Sequence, residues 1–357
     1  PLSAVRYRLA ATGNSSFGYF GGGNPGSIFS TVDRIDYSND TATASVRGPL
    51  SLARYYLAAT GNSSYGYFGG GQTPSTTAAV SRIDYSNDTS TASPKGPLSV
   101  ARYSLGATGN SSYGYFGGGF PGPLSTVDRI DYSNDTATAS PKGPLSVGRS
   151  NLAATGNSSF GYFGGGTPGP LSSVDRIDYS NDTATAPTKG PLSLARFGLT
   201  ATGNISFGYF GGGGPATSVV DRIDYSNDTA TASPKGPLSL ARYSLAATSA
   251  KANAITDNTF ITATPSPATN FATGAVETFQ TGYFGGGTSP TVSTVDRIDY
   301  SNDTATASPK GPLSVARYSL AATGNSSFGY FGGGTPGSKS TVDRIDYSND
   351  TAAASPK

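Results

Sequence analysis

The fold this sequence predicts is all-β: a seven-bladed β-propeller of four-stranded antiparallel blades. Three observations predict it. First, one unit is copied seven times along the 357 residues, starting at Pro1, Pro49, Pro97, Pro144, Pro191, Pro237 and Pro312, with starts 46–48 residues apart except for one interval of 75. Second, each unit holds four short runs suited to strands, separated by Gly, Asn, Asp and Pro, which favour turns for distinct backbone reasons. Third, no window carries the 3.6-residue apolar period of a helix. Four strands in a unit of about 40–50 residues is the period of a propeller blade. The chain is therefore read as one domain with blades 1–48, 49–96, 97–143, 144–190, 191–236, 237–311 and 312–357.

The last copy illustrates the elements in order. Strand A is expected over 318–323 and ends at the turn Gly324-Asn325-Ser326. Strand B, 328–331, is apolar and aromatic and is closed by Gly332-Gly333-Gly334. Strand C, 341–347, runs into the turn Ser348-Asn349-Asp350, and strand D is the Thr/Ala-rich piece 351–355. The sixth unit departs from this plan through an insertion at about 249–281, between strands A and B. That insertion holds Phe260, Phe271, Phe279 and the only Glu of the chain, Glu277.

The unit resembles the kelch repeat family. The likeness lies in an aromatic strand ending in glycines (Tyr19-Phe20-Gly21-Gly22-Gly23), a following strand with Asp (Val32-Asp33-Arg34-Ile35-Asp36-Tyr37) and an Arg opening the next blade (Arg54), and it covers all seven units. Kelch blades usually carry a Trp in the fourth strand, where this chain puts Ala42 and its equivalents, so inter-blade packing is expected to rest on Tyr and Phe. The near-identical units, with STVDRIDYSNDTATA and GYFGGG, are also similar to repeat arrays in virion structural proteins of marine tailed phages, which implies a fibre or decoration role.

Composition narrows the chemistry. The chain has no His, Cys, Met or Trp, so disulfides, thiolate metal sites and His-based catalysis are excluded. The copper oxidases built on kelch-like propellers need His and a Cys–Tyr site, and sialidase-type propellers need an acidic, Tyr/Glu and Arg cluster that Glu277 in its loop does not supply. Charged residues are 13% of the chain and the net charge is +2, too little to draw nucleic acid by long-range attraction. No apolar run approaches the ~20 residues of a membrane helix. The expectation is a non-enzyme without cofactor or metal, without a nucleic-acid partner and without membrane insertion. The chain begins at Pro1 without a Met, so it is expected to be processed or partial, with more protein on either side.

Most conspicuous residues repeat with the unit and are read as packing. Tyr19, Tyr37 and their equivalents are 14 of the 22 tyrosines, and Arg6, Arg34 and theirs are 14 of the 24 basic residues. The Asp33, Asp36 and Asp40 positions hold 20 of the 22 acids, the missing copy being Ser81. Such Arg and Asp are expected to pair within or between blades. The run Asp36-Tyr37-Ser38-Asn39-Asp40 has oxygen groups at alternate positions but lacks the Gly and Glu of a calcium loop, and is read as an Asx-type turn. The triple Gly is no phosphate cradle, since no GK[ST] or helix follows. The sequons Asn14-Ser15-Ser16 and Asn39-Asp40-Thr41 are read as turns as well.

Function is sought where the copies differ. They differ most between strands B and C (24–30, 72–79, 120–125, 167–172, 214–218, 288–293 and 335–340) and just after the repeat Arg (from Tyr7-Arg8 and Tyr55-Tyr56 to Ser150-Asn151 and Phe197-Gly198). In a propeller both connections emerge on one face, and loops on a rigid scaffold commonly carry recognition. The candidate ligand-binding residues are Tyr7, Arg8, Phe29, Tyr55, Tyr56, Phe120, Asn151 and Phe197, and the candidate partner contacts are Phe260, Phe271 and Phe279. The expected role is a structural and recognition module of a virion or extracellular assembly. Its expected partners are other assembly subunits and a surface glycan or protein receptor. Polar, uncharged loops suit neutral sugars. The alternative is a cellular or secreted scaffold for protein–protein interaction.

Overall fold

A computed structural model describes residues 1–249 and 280–357. The first unit folds as β1 (Ala10–Gly13), β2 (Phe17–Gly21), β3 (Val32–Asp36) and β4 (Ser45–Arg47), and the second as β5 (Ala58–Gly61), β6 (Tyr65–Gly69), β7 (Val80–Asp84) and β8 (Ser93–Lys95). Seven such four-stranded antiparallel sheets, each in sequential order and each from one continuous unit, form a seven-bladed propeller. All described secondary structure is strand. The innermost strands touch in sequence around the axis, and the ring closes where Ala10–Gly13 meets Ala321–Gly324. Strands Ala246–Ser249 and Thr281–Gly285 flank the insertion, so Phe260, Phe271, Phe279 and Glu277 lie outside the described residues.

Strand boundaries differ from the sequence reading at A and D. In the last unit strand A begins only at Ala321, because Ser319 takes a left-handed conformation with φ 55° that a strand cannot contain. Strand D is confined to Ser355–Pro356, and the Thr/Ala-rich stretch before it belongs to a long turn. In the first unit Ala42 is accordingly exposed in that turn, and Ala44 is the buried residue. The turn is stretched because Asp40 reaches across to the preceding blade.

Each inter-blade interface repeats one set of contacts. Phe68, Ile83, Tyr85 and Ala92 of the second blade pack on Ala10, Tyr19 and Val32 of the first. Tyr19 stacks on Tyr85 with ring centroids 4.8 Å apart, and its hydroxyl donates to Asp88 at 2.8 Å. Asp88 also receives Arg34 at 2.8 Å, whose guanidinium lies 4.3 Å over the Phe17 ring. Seven stacked Tyr pairs at 4.5–4.9 Å, one at each interface, carry the inter-blade packing together with Phe, as expected for a chain without Trp. Glycine permits the approach: a Cβ on Gly21 would sit 2.7 Å from the Phe68 ring.

The first arginine of each unit stays inside its own blade. Arg6 meets Asp33 at 2.5 Å with both side chains fully buried, and it also donates to the Phe20 carbonyl. The expectation of Arg–Asp pairs within or between blades thus resolves into both kinds, one per position. The Asx reading of the C–D turn also matches: Asp36 Oδ1 accepts from the Ser38 N–H at 2.9 Å and hydroxyl at 2.6 Å. Asn14 Oδ1 likewise accepts from the N–H groups of Ser16 and Phe17.

Candidate functional site

The two variable segments of each unit are joined by the backbone. Tyr7 bridges Asn24, Tyr55 bridges Gln72, Tyr103 bridges Phe120, Ser150 bridges Thr167 and Phe197 bridges Gly214. The residue following each of these turns inward and adopts positive φ: Arg8 57°, Tyr56 55°, Ser104 54°, Asn151 53°, Gly198 59°, Ser244 55° and Ser319 55°. Left-handed backbone costs a non-Gly residue about 1–2 kcal/mol. Six of the seven are not glycine, so the conformation is imposed by something outside the residue.

That something is a closed ring of hydrogen bonds. The Tyr56 N–H donates to the Arg8 carbonyl at 3.0 Å, Ser104 to Tyr56 at 3.0 Å, Asn151 to Ser104 at 3.0 Å and Gly198 to Asn151 at 2.9 Å. Ser244 donates to Gly198 at 2.8 Å, Ser319 to Ser244 at 2.9 Å, and Arg8 to Ser319 at 3.1 Å completes the circle. With the backbone held this way, the side chain at each position is free to vary. Within the ring lies an axial cavity of about 210 Å³, bordered by the seven ring residues and by Leu9 and its six equivalents.

A second axial cavity, about 220 Å³, opens among the strand A residues Ala11, Thr12, Ala59, Thr60 and their equivalents. Its lining is nearly identical from blade to blade and has no titratable side chain. The mouth at the variable face is different: it is charged and aromatic on one side and small on the other. Specific recognition needs such distinctness, so the variable mouth is the candidate site.

Five of the eight sequence candidates come together there. The Arg8 guanidinium lies 4.3 Å over the Tyr56 ring and 4.9 Å over the Tyr7 ring. Tyr55 packs on Tyr56 at 5.2 Å, Tyr56 reaches Tyr103 at 5.8 Å, and Tyr103 meets Phe120 edge-on at 5.4 Å. Phe120 is 39% exposed although large and apolar. The result is an aromatic arc over blades one to three. Burial raises the Tyr56 hydroxyl above its ordinary pKa, against the pull of Arg8.

The other three stand outside the arc. Asn151 is exposed and borders the mouth in blade four, next to Ser104. Phe197 packs against Tyr243 at 6.4 Å and over Gly214, away from the arc. Phe29 is half-buried, and its carbonyl accepts the Arg54 N–H, so its backbone serves the next blade. Tyr103 belongs to the arc, and Ser104, Gly198, Ser244 and Ser319 to the ring; all lie in the variable segment after the repeat Arg but are not among the eight candidates. All five share the register of Arg8 or its neighbour, and selecting by size passed over the small ones.

The electrostatics of this face are one-sided. Among the described residues every acid is either at the fully buried Asp33 position or at the C–D turn on the other face. Arg8 and Lys339 both belong to the variable face, and neither takes part in an ion pair among the described residues. No protein-family model matches the chain, and comparison with curated proteins finds no match.

Proposed function

We propose that this propeller is a recognition module that binds a surface glycan at its variable axial mouth, within a virion or extracellular assembly whose other subunits are its further partners. The observation that carries the reading is the Tyr7–Arg8–Tyr56–Tyr103–Phe120 arc, seated on a backbone ring that fixes position while leaving residue type open. Sugar rings stack on aromatic faces, and a guanidinium held between two tyrosines presents its N–H edge to an anion. An acid-free face with Arg8 and Lys339 therefore favours a glycan bearing a carboxylate over the neutral sugar that loop polarity alone suggests. The module binds and does not turn its ligand over.

An oligosaccharide screen of the whole chain, spanning neutral and carboxylated chains, tests this. Carboxylated chains are expected to bind, and Arg8→Ala and Tyr56→Ala are each expected to weaken binding by about tenfold, near 1.4 kcal/mol. Absence of any glycan ligand, or binding indifferent to both substitutions, overturns the proposal.

A second reading has its own support. Leu52, Val100, Val147, Leu194, Leu240 and Val315 share one position of the D–A connection, two before the repeat Arg, and with Val5, one residue further on in the first unit, they are each 38–45% exposed. Seven aliphatic side chains on the variable face suit a protein partner that covers that face. Capture of a protein, unaffected by Arg8→Ala and abolished by Leu52→Asp with Val100→Asp, would favour this scaffold role.

A further inference from the structure

Six of the seven fully buried repeat arginines face a carboxylate in their own blade: Arg6 with Asp33, Arg102 with Asp128, Arg149 with Asp175, Arg196 with Asp221, Arg242 with Asp296 and Arg317 with Asp343, all at 2.5–2.9 Å. The seventh does not. Arg54 is as buried as the rest, 0% exposed, but its partner position is Ser81, also 0% exposed. Its Nη2 donates to Ser81 Oγ at 2.9 Å and to the Phe68 carbonyl at 2.9 Å. Nε and Nη1 have no partner. The same is true of Nε and Nη1 in Arg102 and Arg196, so what singles out Arg54 is the missing negative charge.

The surroundings still have the form of a carboxylate cage. Ser81 pairs with Phe68 in the register that pairs Asp33 with Phe20, so the backbone is unchanged. The donors that serve the aspartate elsewhere are also in place. Ser3 N–H donates to Asp33 and Ser146 N–H and Oγ to Asp175; here Ser51 N–H and Oγ reach Ser81 Oγ at 3.3 and 2.7 Å. Serine has two heavy atoms fewer than aspartate, and its Oγ alone stands between the guanidinium and Ser51. Burial pushes the Arg54 pKa down to about 10, and in the other six a carboxylate opposes the same desolvation. A buried cation without a counter-charge is among the costliest arrangements in a protein interior.

We infer that blade two binds a monatomic halide, chloride under ordinary conditions, between Arg54, Ser81 and Ser51, where it replaces the missing aspartate. The anion is held by the guanidinium and the Ser51 N–H, and both serine hydroxyls can turn to donate to it. Ser51 is exposed, so a path from solvent is one residue long.

The test compares thermal unfolding of the whole chain in sodium chloride with that in sodium gluconate at equal ionic strength, for the natural chain and for Ser81→Asp. Chloride is expected to raise the Tm of the natural chain by about 1–3 °C more than that of Ser81→Asp. Ser81→Asp recreates the pairing of the other six blades, so it is expected to fold, and its own carboxylate closes the site. A bromide soak is expected to place an anomalous peak beside Arg54 in the natural chain and none in the variant. Equal chloride responses in the two proteins, or no bromide at Arg54, overturn the inference.

Discussion

The Tyr330 hydroxyl donates to Asp40 at 2.7 Å although the two residues are 290 positions apart. This bond crosses the seam between the last blade and the first, and Arg344 joins it at 3.0 Å on the same carboxylate. It copies the Tyr19–Asp88 bond inside the chain, so the ring closes by its ordinary inter-blade contact. Asp40→Ala would leave a tyrosine hydroxyl and a largely buried guanidinium without an acceptor, and is expected to cost about 2–4 kcal/mol. Denaturant unfolding should show the same loss for Asp88→Ala to within about 0.5 kcal/mol; a much smaller loss at Asp40 would mean that the seam is held by other forces.

At Gly21 the first blade comes close to the Phe68 ring of the second. Gly21→Ala puts a methyl group 2.7 Å from the Phe68 ring, inside any real contact distance. The expected loss is about 1–3 kcal/mol from overpacking. Phe68→Leu in the same chain should return part of it, and a double-mutant cycle measures the coupling.

Alkali should unfold the protein through its tyrosines. Burial, and for Tyr19 and Tyr67 the bond to an aspartate as well, raises the hydroxyls of the stacked pairs Tyr19–Tyr85 and Tyr67–Tyr132 far above the ordinary value of about 10. A group with a raised folded pKa contributes stability that is complete below the unfolded value and lost as pH climbs past it. Phenolate absorbance should therefore report fourteen of the 22 tyrosines ionising together with unfolding. Gradual ionisation of all of them in the folded ring would contradict the interface described.

Acid acts at the other face. The Ser38 hydroxyl holds the Asp36 carboxylate below its ordinary pKa, and Ser86 and Ser133 do the same for Asp84 and Asp131. A lowered pKa contributes stability above the unfolded value of about 4 that disappears as pH falls through the folded one. Asp221 and Asp343 run in the opposite sense, since burial raises them. Ser38→Ala isolates one turn: the loss should be a few tenths of a kcal/mol near neutrality and vanish once Asp36 is protonated. A loss that persists at low pH would assign the serine a role apart from the carboxylate.

The blade count, the strand order and the roles of the repeated Tyr, Arg and Asp were legible in the sequence, because each recurs at a fixed offset from unit to unit. Strand D was misplaced for a local reason. Thr41-Ala42-Thr43-Ala44 alternates like a strand, yet Asp40 is drawn to another blade and takes the chain with it. The ring at the mouth was invisible for the opposite reason. Left-handed backbone is usually announced by Gly or Asn, and here Arg8, Tyr56 and three serines adopt it because a neighbour's carbonyl compels them. The unpaired Arg54 was foreshadowed by the single Ser at position 81, but only burial turns that substitution into an electrostatic vacancy.

The seven bonds of the mouth all point the same way around the axis, each blade giving its N–H to the blade before it. A helix built on the same kind of bond must end, and its ends leave bare donors at one pole and bare acceptors at the other. A circle has no such poles. Its dipoles chase one another and cancel along the axis, while each bond polarises the next. The rim of this propeller thus gains the mutual reinforcement of a hydrogen-bonded chain without a terminal charge of its own, and whatever charge a ligand meets there is set by side chains alone.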